Sequence, residues 1–289
     1  MKAWRAAALA LALSACTSVP HAQPAPRTGD GVAPVPATVL PASASQGALV
    51  LGRSPPGATV SVDGRNVRVG PDGSFVFGIG RDAQGPLLVA IRQSGRSEEH
   101  RVAVVPRDWP EERITGVPPA TVKPSPEIAA RIAREQALVE AARERDDPRE
   151  DYLPAFAWPV RGRISGRFGS RRVYVLSDGG TSANSAHSGM DIAAAQGTPV
   201  LAPAAGVVTF AAPDLYLTGG TVLLDHGHGV SSNFLHLSRI DVAVGDRIVQ
   251  GQQLGLVGAT GRATGPHLHW GMNWFGVRVD PLLVLERGK

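Results

Sequence analysis

From Gly47 onward, outside one stretch near its middle, this chain sustains no apolar run for long before glycine or proline interrupts it. It holds 34 glycines and 24 prolines in 289 residues. That share favours turns and strands over helix bundles. From Gly47 onward, short apolar or alternating segments (48–51, 58–62, 74–79, 87–91 and 101–106) are divided by Ser-Pro-Pro-Gly, Val-Asp-Gly-Arg, Pro-Asp-Gly and Gln-Gly-Pro. Such punctuation marks strands joined by tight turns. Residues 47–107 therefore read as a small antiparallel β-sandwich module. It has no cluster of His, Asp or Glu, so it is expected to act as a spacer or binding unit.

The interruption is helical. Over 126–145, Ile128, Ile132, Leu138 and Val139 fall near one stripe among alternating charges. Pro126 suits a helix start and Pro148 a stop. Residues 108–150 are thus a linker with an amphipathic helix, expected to pack on the domain C-terminal to it. Beyond Trp158 the pattern is β-like again, with strand candidates at 199–202, 206–210, 221–225, 230–235 and 247–249. The fold class is predominantly all-β, with residues 151–289 forming an antiparallel β-sheet domain that carries a groove.

The start of the chain reads as an export signal. Met1-Lys-Ala-Trp-Arg5 is basic and residues 6–13 are apolar but too short to span a bilayer. Leu13-Ser-Ala-Cys16 resembles a bacterial lipobox, which makes 1–15 a lipoprotein signal peptide; the alternative is an ordinary signal peptide. Cys16 is the sole cysteine, so no intramolecular disulfide exists. Residues 16–46, rich in Pro and Ala, read as a disordered tether. The protein is expected to be exported, anchored to a membrane by a lipid on Cys16, and periplasm-facing. Thr17 favours the outer membrane, by resemblance to diderm lipoproteins. A net charge of +4 suits an anionic polymer or surface and does not single out nucleic acid; no nucleic-acid partner is expected.

Chemistry concentrates in the last third. His187-Ser-Gly-Met-Asp191 places an imidazole and a carboxylate four residues apart, in a loop entering a strand. Thr264-Gly-Pro-His267-Leu-His269-Trp places two imidazoles two apart, on one face if the segment is a strand. A catalytic zinc takes three such ligands and keeps one position open. Spacing alone does not say which of these residues bind a metal. A further histidine, His236, stands in Asn233-Phe-Leu-His-Leu237.

In this order, the HxxxD, aromatic-x-His-Leu and Gly-Pro-His-Leu-His elements resemble the lysostaphin/LytM-type zinc metallo-endopeptidases, which cut peptide cross-bridges in bacterial peptidoglycan. Segments 197–206, 244–252 and 255–261 match as well, and the likeness runs from about 158 to 283. The resemblance implies one Zn²⁺ per chain held by His187, Asp191 and His269, with His236 and His267 as the catalytic histidines and peptidoglycan as substrate. One departure is Phe234, where the family carries a tyrosine. The other implied reading is a non-catalytic relative that binds or activates other wall hydrolases; such relatives lose ligands that this chain keeps. Segments 197–208 and 244–255 also suggest a lipoyl-type carrier fold. That role fails because no lysine occurs between Lys123 and Lys289.

The remaining candidates receive structural readings. His226 and His228, in a glycine-rich turn, are expected to serve turn or groove-rim roles, and His21 and His100 to be exposed. Arg161, Arg163, Arg167, Arg171 and Arg172 give the domain entrance a basic character, either as a solvated face or as a contact for anionic wall polymers. The Ser/Gly/Asn-rich stretch 177–188 is expected to be a mobile loop over the groove.

Overall fold

The computed structural model describes residues 37–116, 119–175 and 180–287. The expected signal sequence, Cys16 and His21 lie outside the described residues. The first part holds β1 (Ser43–Ser45), β2 (Leu49–Arg53), β3 (Thr59–Val62), β4 (Arg65–Val67), β5 (Ser74–Gly78), β6 (Leu87–Gln93) and β7 (Arg96–Val105). Five of these form a sheet in the order β1-β7-β6-β3-β4, and β2 pairs with β5 in a second. The β3–β4 turn is Asp63-Gly64, both with positive φ (46° and 81°), the conformation a two-residue hairpin requires. Ordered chain begins ahead of Gly47. Val39 bridges Arg53, and Ser43–Ser45 runs parallel to the end of β7. A Ser/Ala segment joins that edge through backbone pairing, with Ala44 packed against the core, which its composition does not reveal.

The linker contributes β8 (Glu111–Ile114) and α1 (Pro126–Arg143). Ser125 caps α1 by accepting from the Ile128 amide, with Pro126 in the first turn. The helix buries no residue fully, and Leu138 is 60% exposed. Polar contacts hold it: Glu135 accepts from the Tyr216 amide at 2.8 Å, and Arg131 donates to the Asp214 carbonyl at 2.7 Å.

The last part holds β9 (Arg163–Gly166), β10 (Arg171–Val175), β11 (Thr181–Ala186), β12 (Met190–Ala193), β13 (Pro199–Leu201), β14 (Gly206–Leu215) and β15 (Gly219–Gly227). It continues with β16 (Val230–Leu237), β17 (Arg239–Ile240), β18 (Arg247–Ile248), β19 (Gln253–Leu256), β20 (His267–Trp274), β21 (Val277–Val279) and α2 (Pro281–Glu286). The main sheet runs β18-β14-β15-β16-β20-β12-β9, with β21 also on β20, and its pairs are antiparallel. Strands alternate faces. Val222, Phe234, Leu268, Trp270 and Met272 enter the core, while His267 and His269 take the opposite face. Residues 181–186, expected in a loop, form a strand on β10; pairing overrides their small polar composition.

The two β-rich parts share one hydrophobic cluster. Strand β5 is buried on both faces, Phe75 and Phe77 completely. Gly78 approaches so closely that a Cβ there would lie 3.0 Å from Trp274 and Val279. Buried Asp280 caps α2 and receives Arg107 at 2.9 Å, tying the end of the first part to the last helix.

His226 and His228 are not at a rim. His226 shares the core face of β15 with Val222 and Leu224 and is fully buried. Its ring nitrogens bond the Ala205 carbonyl at 2.6 Å and Ser232 Oγ at 2.9 Å. His228 meets the Tyr152 hydroxyl at 2.9 Å. The register of β15 places His226, which joins that strand to β16 and to the loop before β14. His228, in the turn after β15, ties the sheet end to the linker through its amide, which donates to the Asp147 carbonyl at 2.9 Å. Burial pushes His226 down to about 4. A folded pKa below the unfolded value of about 6.5 adds stability that is whole above pH 6.5 and lost as pH falls through 4. The loss is on the order of 3 kcal/mol. In chemical denaturation from pH 7.5 to 4, His226→Gln should therefore show a flatter fall in stability than the parent; parallel curves would contradict this.

Candidate functional site

Strand pairing assembles the site. Strand β12 runs antiparallel to β20 with Asp191 opposite His269, and His187 stands in the turn that leads into β12. Asp191 Oδ1 lies 2.8 Å from His269 Nδ1 and 3.1 Å from His187 Nε2, and the two imidazole nitrogens are 3.0 Å apart. All three residues are buried. Gly189 permits this approach: a Cβ there would stand 2.7 Å from His269 Nε2 and 2.5 Å from the Trp270 carbonyl oxygen.

The surroundings orient each donor. His187 Nδ1 donates to the Arg167 carbonyl at 2.9 Å, which leaves Nε2 with its lone pair toward the centre. Arg172 donates to the outer oxygen, Asp191 Oδ2, so Oδ1 stays on the inner side. Glu112 on β8 sits behind, its Oε2 3.6 Å from Arg172 Nε and its Oε1 accepting from the Arg167 amide at 3.1 Å. Burial alone would raise the Asp191 carboxyl; the imidazoles of His187 and His269 outweigh it and hold Asp191 well below the usual carboxylate range. Burial likewise pushes His269 down to about 3, which keeps it neutral, the metal-binding form.

These three donors fit a divalent metal. Zinc bonds to nitrogen and oxygen run near 2.0–2.2 Å, which separates tetrahedral ligands by about 3.3 Å. The three atoms here lie within 4.8 Å of one another and are slightly drawn together. One carboxylate and two imidazoles are also the donor chemistry zinc accepts.

His236 and His267 flank this triad, with ring centroids 4.8 Å apart. Each Nδ1 donates to a carbonyl at 2.8 Å, that of Thr260 for His236 and of Gly265 for His267. Both Nε2 atoms are therefore left to accept or donate in the groove. His267 Nε2 lies 3.8 Å from Asp191 Oδ1. Burial, with the His267 ring beside it, pushes His236 down to about 4, so it is neutral near pH 7.

His236 reaches the groove through a break in the strand. In a regular strand it would share the core face with Phe234. Between Phe234 and Leu237, β16 carries one residue more than β15, and His236 takes φ 64°. A bulge of this kind re-aims a side chain, and a non-glycine residue in the left-handed region costs about 1–2 kcal/mol. Phe234 itself is fully buried in the core. The hydroxyl it lacks would point away from the site.

A groove of about 590 Å³ lies over the triad, with Asn233 and Thr221 on its floor and Ile132 and Val139 of α1 on one wall. The entrance arginines divide. Arg161, Arg163, Arg167 and Arg171 are exposed, whereas Arg172 turns inward. Sequence reasoning missed the roles of Arg172 and Glu112, because a parallel pairing of β8 with β10 creates them. His100 is partly exposed beside Glu98.

Comparison with known proteins agrees with this geometry. Residues 185–281 match the model of peptidase family M23. A Pseudomonas aeruginosa crystal structure described as a peptidase M23 is 34% identical, covers 83% of this chain and 94% of its own, and superposes with a TM-score of 0.65. The chain belongs to peptidase family M23, the lysostaphin/LytM-type family. Cell division protein DipM of Caulobacter vibrioides is 38% identical over 46% of this chain and 21% of its own length. Peptidoglycan DD-endopeptidase ShyA of Vibrio cholerae is 41% identical over 39% of this chain and 26% of its own. The match thus spans about a quarter or less of these curated relatives.

Removing Arg172 tests the support of the triad. Partners behind a metal ligand typically account for 10–100-fold in affinity. With Zn²⁺ titrated against a competing chelator, Arg172→Gln should weaken binding by about that factor, and Asp191→Asn should abolish stoichiometric binding. Equal affinity in Arg172→Gln would contradict the arrangement.

Proposed function

We propose that this protein is a zinc-dependent endopeptidase that hydrolyses peptide cross-links of bacterial peptidoglycan, with His187, Asp191 and His269 as metal ligands and His236 and His267 as catalytic residues. The supporting observation is the pair of imidazoles beside the triad, each anchored through Nδ1 with Nε2 open to the groove. A non-catalytic binder has no need of that second pair.

Zinc, when bound, supplies a Lewis acid for the scissile carbonyl and brings the pKa of a water to about 7. One of the two Nε2 atoms accepts the proton of the attacking water and returns it to the leaving amine. The other donates to the carbonyl oxygen as negative charge develops there. The groove holds the peptide across the triad, between the sheet face and α1. The sequence at Cys16 supports a second part of the reading: export and lipid anchoring at a periplasm-facing membrane, where the wall lies within reach of a tether.

Purified sacculi digested with the soluble chain should release muropeptides with newly cleaved cross-links, identified by mass spectrometry. Chelation should stop release. His236→Ala and His267→Ala should each retain one zinc and lose about 10²–10⁴-fold in rate, the usual worth of a general acid or base. A wild-type protein that binds zinc and releases nothing would refute hydrolysis and favour the binder or activator.

A further inference from the structure

Two arginines line the groove away from the triad and, among the described residues, form no ion pair. Arg143 is in the last turn of α1 and Arg278 is on β21; both line the groove that holds the triad. Both side chains are half-buried. Arg143 Nε is sealed from solvent and has no hydrogen-bond partner among the described residues. Glu140, also on the lining, is the acid that acts on both, yet among the described residues no ion pair joins it to either. Burial, then the charge of Arg278, pushes Arg143 down to about 9, and burial lowers Arg278 as well. Arg143 therefore remains charged near pH 7.

Among the described residues, Glu140 is the one acid that acts on this half-buried guanidinium pair, which is poorly compensated. Guanidinium groups bind carboxylates through paired N–H donors, and a carboxylate entering the groove would supply both charge and acceptors. Position narrows the choice further. Arg278 pairs in register with Asn273, four residues along β20 from His269 and on the same face. At about 3.3 Å per residue, its backbone lies about 13 Å along the strand from the metal-binding position. With the reach of an arginine side chain, this suits a carboxylate about two to three residues from the cleaved bond.

We propose that Arg143 and Arg278 form a carboxylate-binding subsite that holds a free carboxylate of the peptidoglycan stem peptide while the cross-link lies over the triad. The inference rests on the groove being a peptidoglycan-peptide site. It also gives α1 a role: the linker helix supplies one half of the subsite and the peptidase sheet the other.

The test measures binding rather than turnover. Zinc-loaded chain carrying His267→Ala, which retains the ligand triad, is titrated calorimetrically with a cross-linked stem peptide bearing free carboxylates and with the same peptide fully amidated. The free form should bind about tenfold more tightly, in line with charge-assisted hydrogen bonds. Adding Arg143→Gln with Arg278→Gln should make the two peptides equal. Arg143→Lys with Arg278→Lys should keep part of the preference and guards against a folding artefact. The subsite is overturned if the parent binds both peptides equally, if it binds neither, or if the glutamine pair keeps the preference. Failure of the hydrolytic reading looks different: intact sacculi, with carboxylate-dependent binding retained.

Discussion

The Asp191 carboxylate sets the terms for everything around it. A buried anion costs several kcal/mol in lost hydration unless charge and hydrogen bonds replace it. Here the replacement has two sides. Arg172 takes the outer oxygen, and His187 and His269 converge on the inner one. Arg172 is in turn placed by β10, whose parallel partner β8 brings Glu112 behind it. The linker strand is therefore part of the candidate metal site, although it lies more than 70 residues ahead of Asp191 in the chain.

The same division of labour extends along the groove. Paired strands carry two of the candidate ligands, the register of β12 on β20 setting Asp191 against His269, and the turn into β12 carries His187. The wall opposite is a helix held by polar contacts instead of a buried face. That explains how α1 can bring apolar Ile132 and Val139 to the groove while Leu138 points to solvent. Below the sheet, strand β5 wedges the first module against β20 and β21, so one core supports both.

Much of this was legible in the amino-acid order. Turn signals such as Asp63-Gly64 bracketed the strands of the first module, and the proline and charge pattern located α1. The HxxxD and HxH spacings placed the three ligand candidates where β12 and β20 bring them together. What stayed hidden depends on pairing between distant segments. Ser43–Ser45 and Thr181–Ala186 are strands because a neighbour offers an edge, and nothing in their composition announces it. His226 and His228 looked like turn residues because glycines surround them, yet the register of β15 buries His226. The approach of His236 to the site depends on one extra residue in β16 and a left-handed backbone, a local break that alternation reasoning misses. Arg172 read as one of several surface arginines, since only the fold of β8 and β10 turns it toward Asp191.

The central claim is the split of five residues into a ligand triad and a proton-handling pair. A crystal structure of the zinc-loaded protein, with anomalous data at the zinc edge, tests it most directly. The account predicts one zinc per chain bonded to His187 Nε2, Asp191 Oδ1 and His269 Nδ1 at about 2.0–2.2 Å, with His236 Nε2 and His267 Nε2 near the metal but unbonded. Zinc bonded to His236 or His267 in place of one of the three, or held elsewhere in the chain, would contradict it.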